Sequence, residues 1–131
     1  MSHFRVVEHT VSGQNVRERQ GAIKSGHEHD IRLAVKQYVP IDNPSPQEGD
    51  VTLIGAHANG FPKVLFLFHH LMITLRLTTF KELYEPLWDD IYENLRDRNR
   101  RIRSIWIADV AQQGQSGVLN ESILGNDREL L

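Results

Sequence analysis

Two stretches near the N-terminus alternate polar and apolar side chains residue by residue. They are "HFRVVEHTV" (His3–Val11) and "DIRLAVKQYVP" (Asp30–Pro40). A period of two is the mark of a strand with one face buried, so both are expected to be β-strands, with a polar, glycine-containing loop between them. Ile41–Asp50 is dense in turn formers, and Pro44 and Pro46 cannot donate to a strand ladder. "VTLIGAH" (Val51–His57) follows as a short continuous apolar run ending in small residues, the pattern of a buried parallel strand that delivers a loop from its carboxyl end. In Glu85–Arg100 the period changes. Leu87, Trp88, Ile91, Tyr92 and Leu95 recur at helical spacing, Pro86 sits in the first turn, and acidic residues give way to arginines along the segment. Ile102–Val110 reads as another buried strand, closing on Asp109. A strand, loop, helix and strand with a crossover of this length form a βαβ unit. The fold class is therefore α/β: an antiparallel lead-in pair followed by a parallel unit.

One block fits none of these patterns. Val64–Phe80 holds 11 apolar residues in 17 and no acidic residue, interrupted by His69, His70, Thr74, Arg76, Thr78 and Thr79. A membrane span needs about 20 predominantly apolar residues, and a central arginine costs roughly 2.5–3.5 kcal/mol on insertion scales. No membrane span is expected here.

The bulk numbers add boundaries rather than direction. The chain has 131 residues, 40% hydrophobic and 24% charged, with a net charge of −2 and no cysteine. That is enough chain for one domain or part of a larger one. Disulfides and thiolate metal sites are excluded, and no general electrostatic reason favours nucleic acid as a partner. Met1-Ser2-His3-Phe4 lacks the apolar core of a secretory signal.

Candidate chemistry concentrates after two strands. "HANGFP" (His57–Pro62) lies just outside the carboxyl end of a strand, where open α/β sheets build their sites. Its small residues allow backbone N–H groups to converge on a developing oxyanion, although a plain glycine turn explains the composition as well. "DVAQQGQSG" (Asp109–Gly117) places Ser116 between glycines, but Gly117 arrives one residue too early for the G-x-S-x-G nucleophile elbow. "VLNESILGND" (Val118–Asp127) reads as turn-like, so Asp109, Gly114 and Ser116 are expected in a structural loop. "HEHD" (His27–Asp30) is a solvated loop rather than a metal site. His69 and His70 are adjacent and cannot share one side of a helix. Arg96–Arg103 reads as a solvated helix end.

Taken together, the antiparallel lead-in, "LIGAHANGF", the helix entered through "ELYEPLW" and the strand ending "IADVAQQGQSG" resemble the N-terminal part of an α/β-hydrolase. More narrowly, "HANGFPK", "KELYEPLWDD", "IRSIWIADVA" and "GQSGVLNE" look like a fungal subgroup that includes hydrolases of host-selective toxin biosynthesis, the AK, AF and ACT group that makes an epoxy-decatrienoic acid moiety. The resemblance covers most of the chain apart from Val64–Lys81 and the last few residues. It implies ester, acyl or epoxide hydrolysis of a small acyl or polyketide-like substrate, with no cofactor and no metal. Carried onto this chain, the oxyanion loop comprises His57, Asn59, Gly60 and Phe61. Matching His57 to the family's H-G-x puts the key amide on Asn59, whereas matching Gly60-Phe61-Pro62 to H-G-F-P puts it on Phe61.

The chain departs from that pattern in three places. The 18-residue block "VLFLFHHLMITLRLTTFK" (Val64–Lys81) separates segments that are contiguous in such relatives. It is in frame, begins on a valine codon (GT) and ends on a lysine codon that can supply AG, which suits a translated intron; a hydrophobic lid insertion is the rival. No nucleophile, acid or histidine of a triad can be placed, so no catalytic residue is assigned. The chain reads as the N-terminal portion of a single α/β-hydrolase domain, or else as a non-enzymatic pseudogene product or small binding module. The family's third strand lies between the fourth and fifth, so here Val51–His57 is expected to keep an unpaired edge, and the isolated chain to fold poorly. The relatives' address is peroxisomal through an SKL-type terminus; Glu129-Leu130-Leu131 does not match it, which points to the cytosol.

Overall fold

A computed structural model of the chain describes residues 3–13, 21–27, 29–55 and 85–126. The elements run β1 (Phe4–Ser12), β2 (Arg32–Pro40), β3 (Val51–Gly55), α1 (Glu85–Asp97), β4 (Ile102–Ala108) and α2 (Gly114–Asn120). They build one four-stranded mixed sheet in the order β1-β2-β4-β3.

The two alternating stretches form β1 and β2, paired antiparallel along their full length with Phe4 opposite Pro40 and Ser12 opposite Arg32. β2 pairs antiparallel with β4, and β3 pairs parallel with β4. The lead-in pair and the parallel βαβ unit are thus both present, and the fold class is α/β.

Helix α1 covers one face of the sheet. Trp88 and Tyr92 are its buried side chains, and they close a core with Phe4, Tyr38, Ile102, Ile105 and Ile107. Ile91 and Leu95 pack at its margin, while Leu87, expected on the same apolar face, is 46% exposed. The aromatic rings meet edge-on or tilted: Phe4 stands 5.6 Å from Tyr92 and 6.4 Å from Tyr38, and Tyr38 lies 6.4 Å from Trp88. These are the separations at which ring quadrupoles attract. The two tyrosine hydroxyls are satisfied, because Tyr38 Oη donates to Glu85 and Tyr92 Oη donates to Asp42 at 2.6 Å. The helix ends where Asn99 turns left-handed (φ 54°), with Asn99 N–H donating to Arg96 and Arg100 N–H to Leu95. That pair of reversed bonds closes the last turn and replaces continuation of the helix.

The loop before β3 is tied by Asp50. Its carboxylate accepts from Asn43 Nδ2 (2.9 Å) and Gln47 N–H (2.8 Å), and Arg101 approaches both Asn43 and Asp50. The Asn43 hydrogen bond, then the Gln47 amide, hold the Asp50 carboxyl below the usual carboxylate range.

Three expectations change. The apolar run Val51–His57 predicts a buried strand. β3 is parallel to β4 as expected, but its residues alternate between intermediate and exposed, and Ile54 is 85% exposed. Among the described residues it stands at the edge of the sheet, as the family's strand order implies, and α1 covers only one face. A run of apolar residues reports strand character, not position in the sheet. Second, Val118–Asp127 predicts turns, yet Gly114–Asn120 is helical. Ser116 and Gly114 therefore belong to a helix rather than to a loop, and only Asp109 remains in the connection. Third, β4 stops at Ala108, one residue before Asp109. Among the described residues, no helix is long and apolar enough to cross a membrane.

Candidate functional site

The ends of β3 and β4 define the place where site loops leave the sheet. At the end of β3, Gly55 lies against α1: a Cβ there would stand 3.3 Å from Ile107 Cδ1 and from the Trp88 ring. Glycine lets the strand end pass under the helix before the chain enters the candidate oxyanion loop. His57, Asn59, Gly60 and Phe61 lie outside the described residues, as do His69, His70 and the whole of Val64–Lys81. Beside this strand end, on the sheet face away from α1, Val35, Thr52, Ile54, Trp106 and Ala108 line an open apolar groove.

The end of β4 is held by a buried polar knot. β4 pairs with β2 over Val35–Tyr38, which leaves the first residues of β2 without a strand on that side among the described residues. Groups from the next segment take the strand's place. Asp109 N–H donates to Ala34 C=O (3.0 Å), and Ala34 N–H donates to Ser116 Oγ (2.8 Å). One turn further along α2, Asn120 Oδ1 accepts Arg32 N–H (2.9 Å) and Asn120 Nδ2 donates to Arg32 C=O (2.8 Å). Ser116 and Asn120 are both fully buried. Their spacing of four puts them on one helical face, so α2 meets β2 as a hydrogen-bonding surrogate strand. Nearly every buried backbone group in a native fold finds such a partner.

Asp109 completes the knot. It is 3% exposed, and its Oδ2 accepts Gln115 N–H (2.9 Å), one of the free amides at the start of α2. Gly114 begins that helix at φ +55°, and a Cβ on it would fall 2.6 Å from Asp109 Oδ2. The aspartate can cap α2 only because residue 114 has no side chain.

This arrangement bears directly on Ser116. Its hydroxyl donates to Asp109 C=O (3.2 Å) and accepts from Ala34 N–H, and no part of it reaches solvent. A nucleophile needs an exposed oxygen paired with a base. Ser116 has neither: it spends both roles on backbone groups. Asn120 is a structural residue that motif reasoning passes over. Its spacing of four from Ser116 is the available signal, but that spacing carries meaning only once α2 is known to be a helix.

The other sequence candidates lie apart from this region. His27 Nδ1 is 2.9 Å from Asp30 Oδ2 in an exposed turn, and among the described residues no group of three or more potential ligands could hold a metal. The arginines of the α1–β4 turn are exposed and occupy the opposite end of β4 from the knot. Arg96 stacks over the Tyr92 ring at 5.6 Å, and Arg103 donates to Gln47 C=O.

No family model matches the chain. It is 38% identical over 125 residues to the type I acyl-CoA thioesterase mpaH of Penicillium roqueforti, and 36% identical over 125 residues to the type I acyl-CoA thioesterase mpaH' of Penicillium brevicompactum. Each match takes in 95% of this chain and 24% of the relative, so the chain spans about a quarter of the length of the curated relatives it matches. Among solved structures, it is similar to the peroxisomal α/β-hydrolase Lpx1 of Saccharomyces cerevisiae, with a TM-score of 0.56 and 18% identity over 95% of this chain and 28% of that one. The mixed sheet is therefore a partial α/β-hydrolase fold, and the chain is α/β-hydrolase-like.

Proposed function

We propose that this α/β-hydrolase-like chain is the N-terminal portion of a hydrolase domain that cleaves acyl thioesters, and that it supplies the oxyanion loop while other residues supply the nucleophile, acid and histidine. The observation that carries this reading is the 38% identity to an acyl-CoA thioesterase across nearly the whole chain. In it, Gly55 launches the loop, and the amide of Asn59, or of Phe61 in the alternative match, donates to the oxyanion of the tetrahedral intermediate. Such a donor is worth about 2.7–4 kcal/mol of transition-state stabilisation. Asp109, Gly114, Ser116 and Asn120 hold the end of β4 in place and take no part in bond breaking. The substrate is a small acyl compound, and neither metal nor other cofactor enters.

The finer readings follow from the same resemblance. The quoted fungal motifs support a role in secondary metabolism, with toxin-pathway ester or epoxide chemistry as its most specific form and virulence as its consequence. A peroxisomal location for the complete polypeptide is supported by its likeness to Lpx1, itself a peroxisomal α/β-hydrolase. Val64–Lys81 is read as a translated intron; cDNA reads that carry the block in most transcripts would count against this and for a lid.

The test is a chimera: residues 1–131 without Val64–Lys81, continued by the remaining three-quarters or so of the Penicillium roqueforti relative. It is expected to release thiol from acyl-CoA, and Asn59→Pro is expected to abolish that release without unfolding the protein. A folded chimera with no thiol release would overturn the reading. The second reading is a non-enzymatic chain, a pseudogene product or a small binding module. Genomic sequence beyond codon 131 discriminates, because a G-x-S-x-G frame within roughly 50 residues supports the hydrolase and its absence supports the alternative.

A further inference from the structure

Asn120-Glu121-Ser122 matches N-x-S, the acceptor pattern for N-glycosylation. The chain's other near-match, Asn43-Pro44-Ser45, has proline in the middle position, which the pattern forbids. A single acceptor is therefore encoded, and it falls on a fully buried amide that makes three hydrogen bonds. We propose that Asn120 is a latent N-glycosylation site whose modification and this fold exclude each other, so that the native chain arises only where the oligosaccharyl transferase of the secretory lumen does not act.

The chemistry sets the conflict. The transferase joins Asn120 Nδ2 to the anomeric carbon of a lipid-pyrophosphate-linked oligosaccharide; the C–O bond to pyrophosphate breaks, and one amide proton leaves with the lipid pyrophosphate. In the folded chain Nδ2 spends both of its protons, on Arg32 C=O at 2.8 Å and on Ala111 C=O at 2.9 Å. Glycosylation removes one of these donors outright and leaves a part-buried carbonyl without that partner. It also attaches a bulky polar group to a side chain with no exposed surface. α2 then cannot seat on β2, and the bonds that Ser116 and Asn120 make to Ala34 and Arg32 are lost together. Once α2 is seated, the same burial keeps the transferase from reaching Nδ2. The outcome depends on which event comes first, and transfer to the unfolded chain in the lumen precedes folding. Ser122 is exposed and contributes its backbone carbonyl to Lys24 Nζ, so its hydroxyl can be removed without touching the knot.

The experiment expresses the full 131-residue chain in yeast, once in the cytosol and once behind a cleavable secretory leader, each as wild type and as Ser122→Ala. The expected result is an endoglycosidase-H-sensitive mass increase mapping to Asn120 in secreted wild type alone. It is accompanied by loss of the protease-resistant core that the cytosolic chain is expected to show, and Ser122→Ala restores that core in the lumen; a cytosolic chain without such a core overturns the proposal. Secreted wild type that carries the glycan and keeps the core overturns the proposal, as does secreted wild type without a glycan. Equal protease sensitivity of both secreted forms overturns it too, because the glycan is then not the cause.

Discussion

Removing one oxygen atom, in Ser116→Ala, separates a structural serine from a reactive one. The hydroxyl is fully buried and joins Ala34 N–H to Asp109 C=O. Alanine leaves both backbone groups buried without that partner, at about 1–3 kcal/mol for each. Relaxation of α2 recovers part of this, so a loss of about 2–4 kcal/mol is expected. That is a large fraction of a typical domain stability of about 5–15 kcal/mol. The assay is urea unfolding followed by tryptophan fluorescence, with Trp88 and Trp106 reporting from the two faces of the sheet. The midpoint falls with little change in the slope, and the control Gln115→Ala, whose side chain is exposed, stays within about 0.5 kcal/mol. A Ser116→Ala loss below about 0.5 kcal/mol would rule out the structural role. So would a variant of unchanged stability that has lost a hydrolytic activity present in the wild type.

Four further outcomes are expected. Gly114→Ala combines left-handed backbone strain with a Cβ 2.6 Å from Asp109 Oδ2; a loss of about 1–3 kcal/mol is expected in the same assay, and a neutral result would show that Asp109 does not cap α2. Asp50 has its pKa lowered by Asn43 and Gln47, so its contribution is present above the unfolded-state value of about 3.9 and is lost as pH falls through the folded-state value; Asp50→Asn should flatten stability against pH in that acid window and nowhere else. Tyr92 is shifted the other way, its pKa raised by the hydrogen bond to Asp42. Its contribution is intact below about pH 10 and disappears as pH rises through the raised value, so Tyr92→Phe costs about 1 kcal/mol at neutral pH and less in strong alkali. Finally, Ile54→Lys places a charge on the exposed edge strand and is expected to reduce self-association in sedimentation velocity; an unchanged distribution would show that β3 is not the associating edge.

What the sequence makes legible depends on whether the cause is local. Alternation along His3–Val11 and Asp30–Pro40 locates β1 and β2 because each strand has one face to bury, and the spacing from Leu87 to Leu95 locates α1 for the same reason. The apolar run Ile102–Val110 locates β4, whose burial needs no further cue. α2 is invisible. Gly114, Ser116, Gly117 and Asn120 are poor helix formers, and seven residues are too few to be stable alone. What stabilises α2 lies more than 80 residues away, in the backbone of Arg32 and Ala34, which pairs with Asn120 and Ser116 instead of with β4. The same distance hides the roles of Ser116 and Asn120: the glycine spacing keeps Ser116 from the nucleophile role, but its actual partners cannot be read from its neighbours. The exposure of β3 cannot be read from its own residues, because an apolar strand reads alike at the centre and the edge of a sheet; only the strand order of the family it resembles puts it at an edge. The oxyanion role of His57, Asn59, Gly60 and Phe61 rests on motif matching alone.

On this reading the chain carries the oxyanion-loop portion of a hydrolase and no reacting nucleophile. The decisive experiment incubates the purified 131-residue chain with a fluorophosphonate probe and follows acyl-CoA thiol release in parallel. No serine labelled and no thiol released above buffer is the expected result. Stoichiometric labelling of one serine, with turnover that Asn59→Pro abolishes, would overturn it.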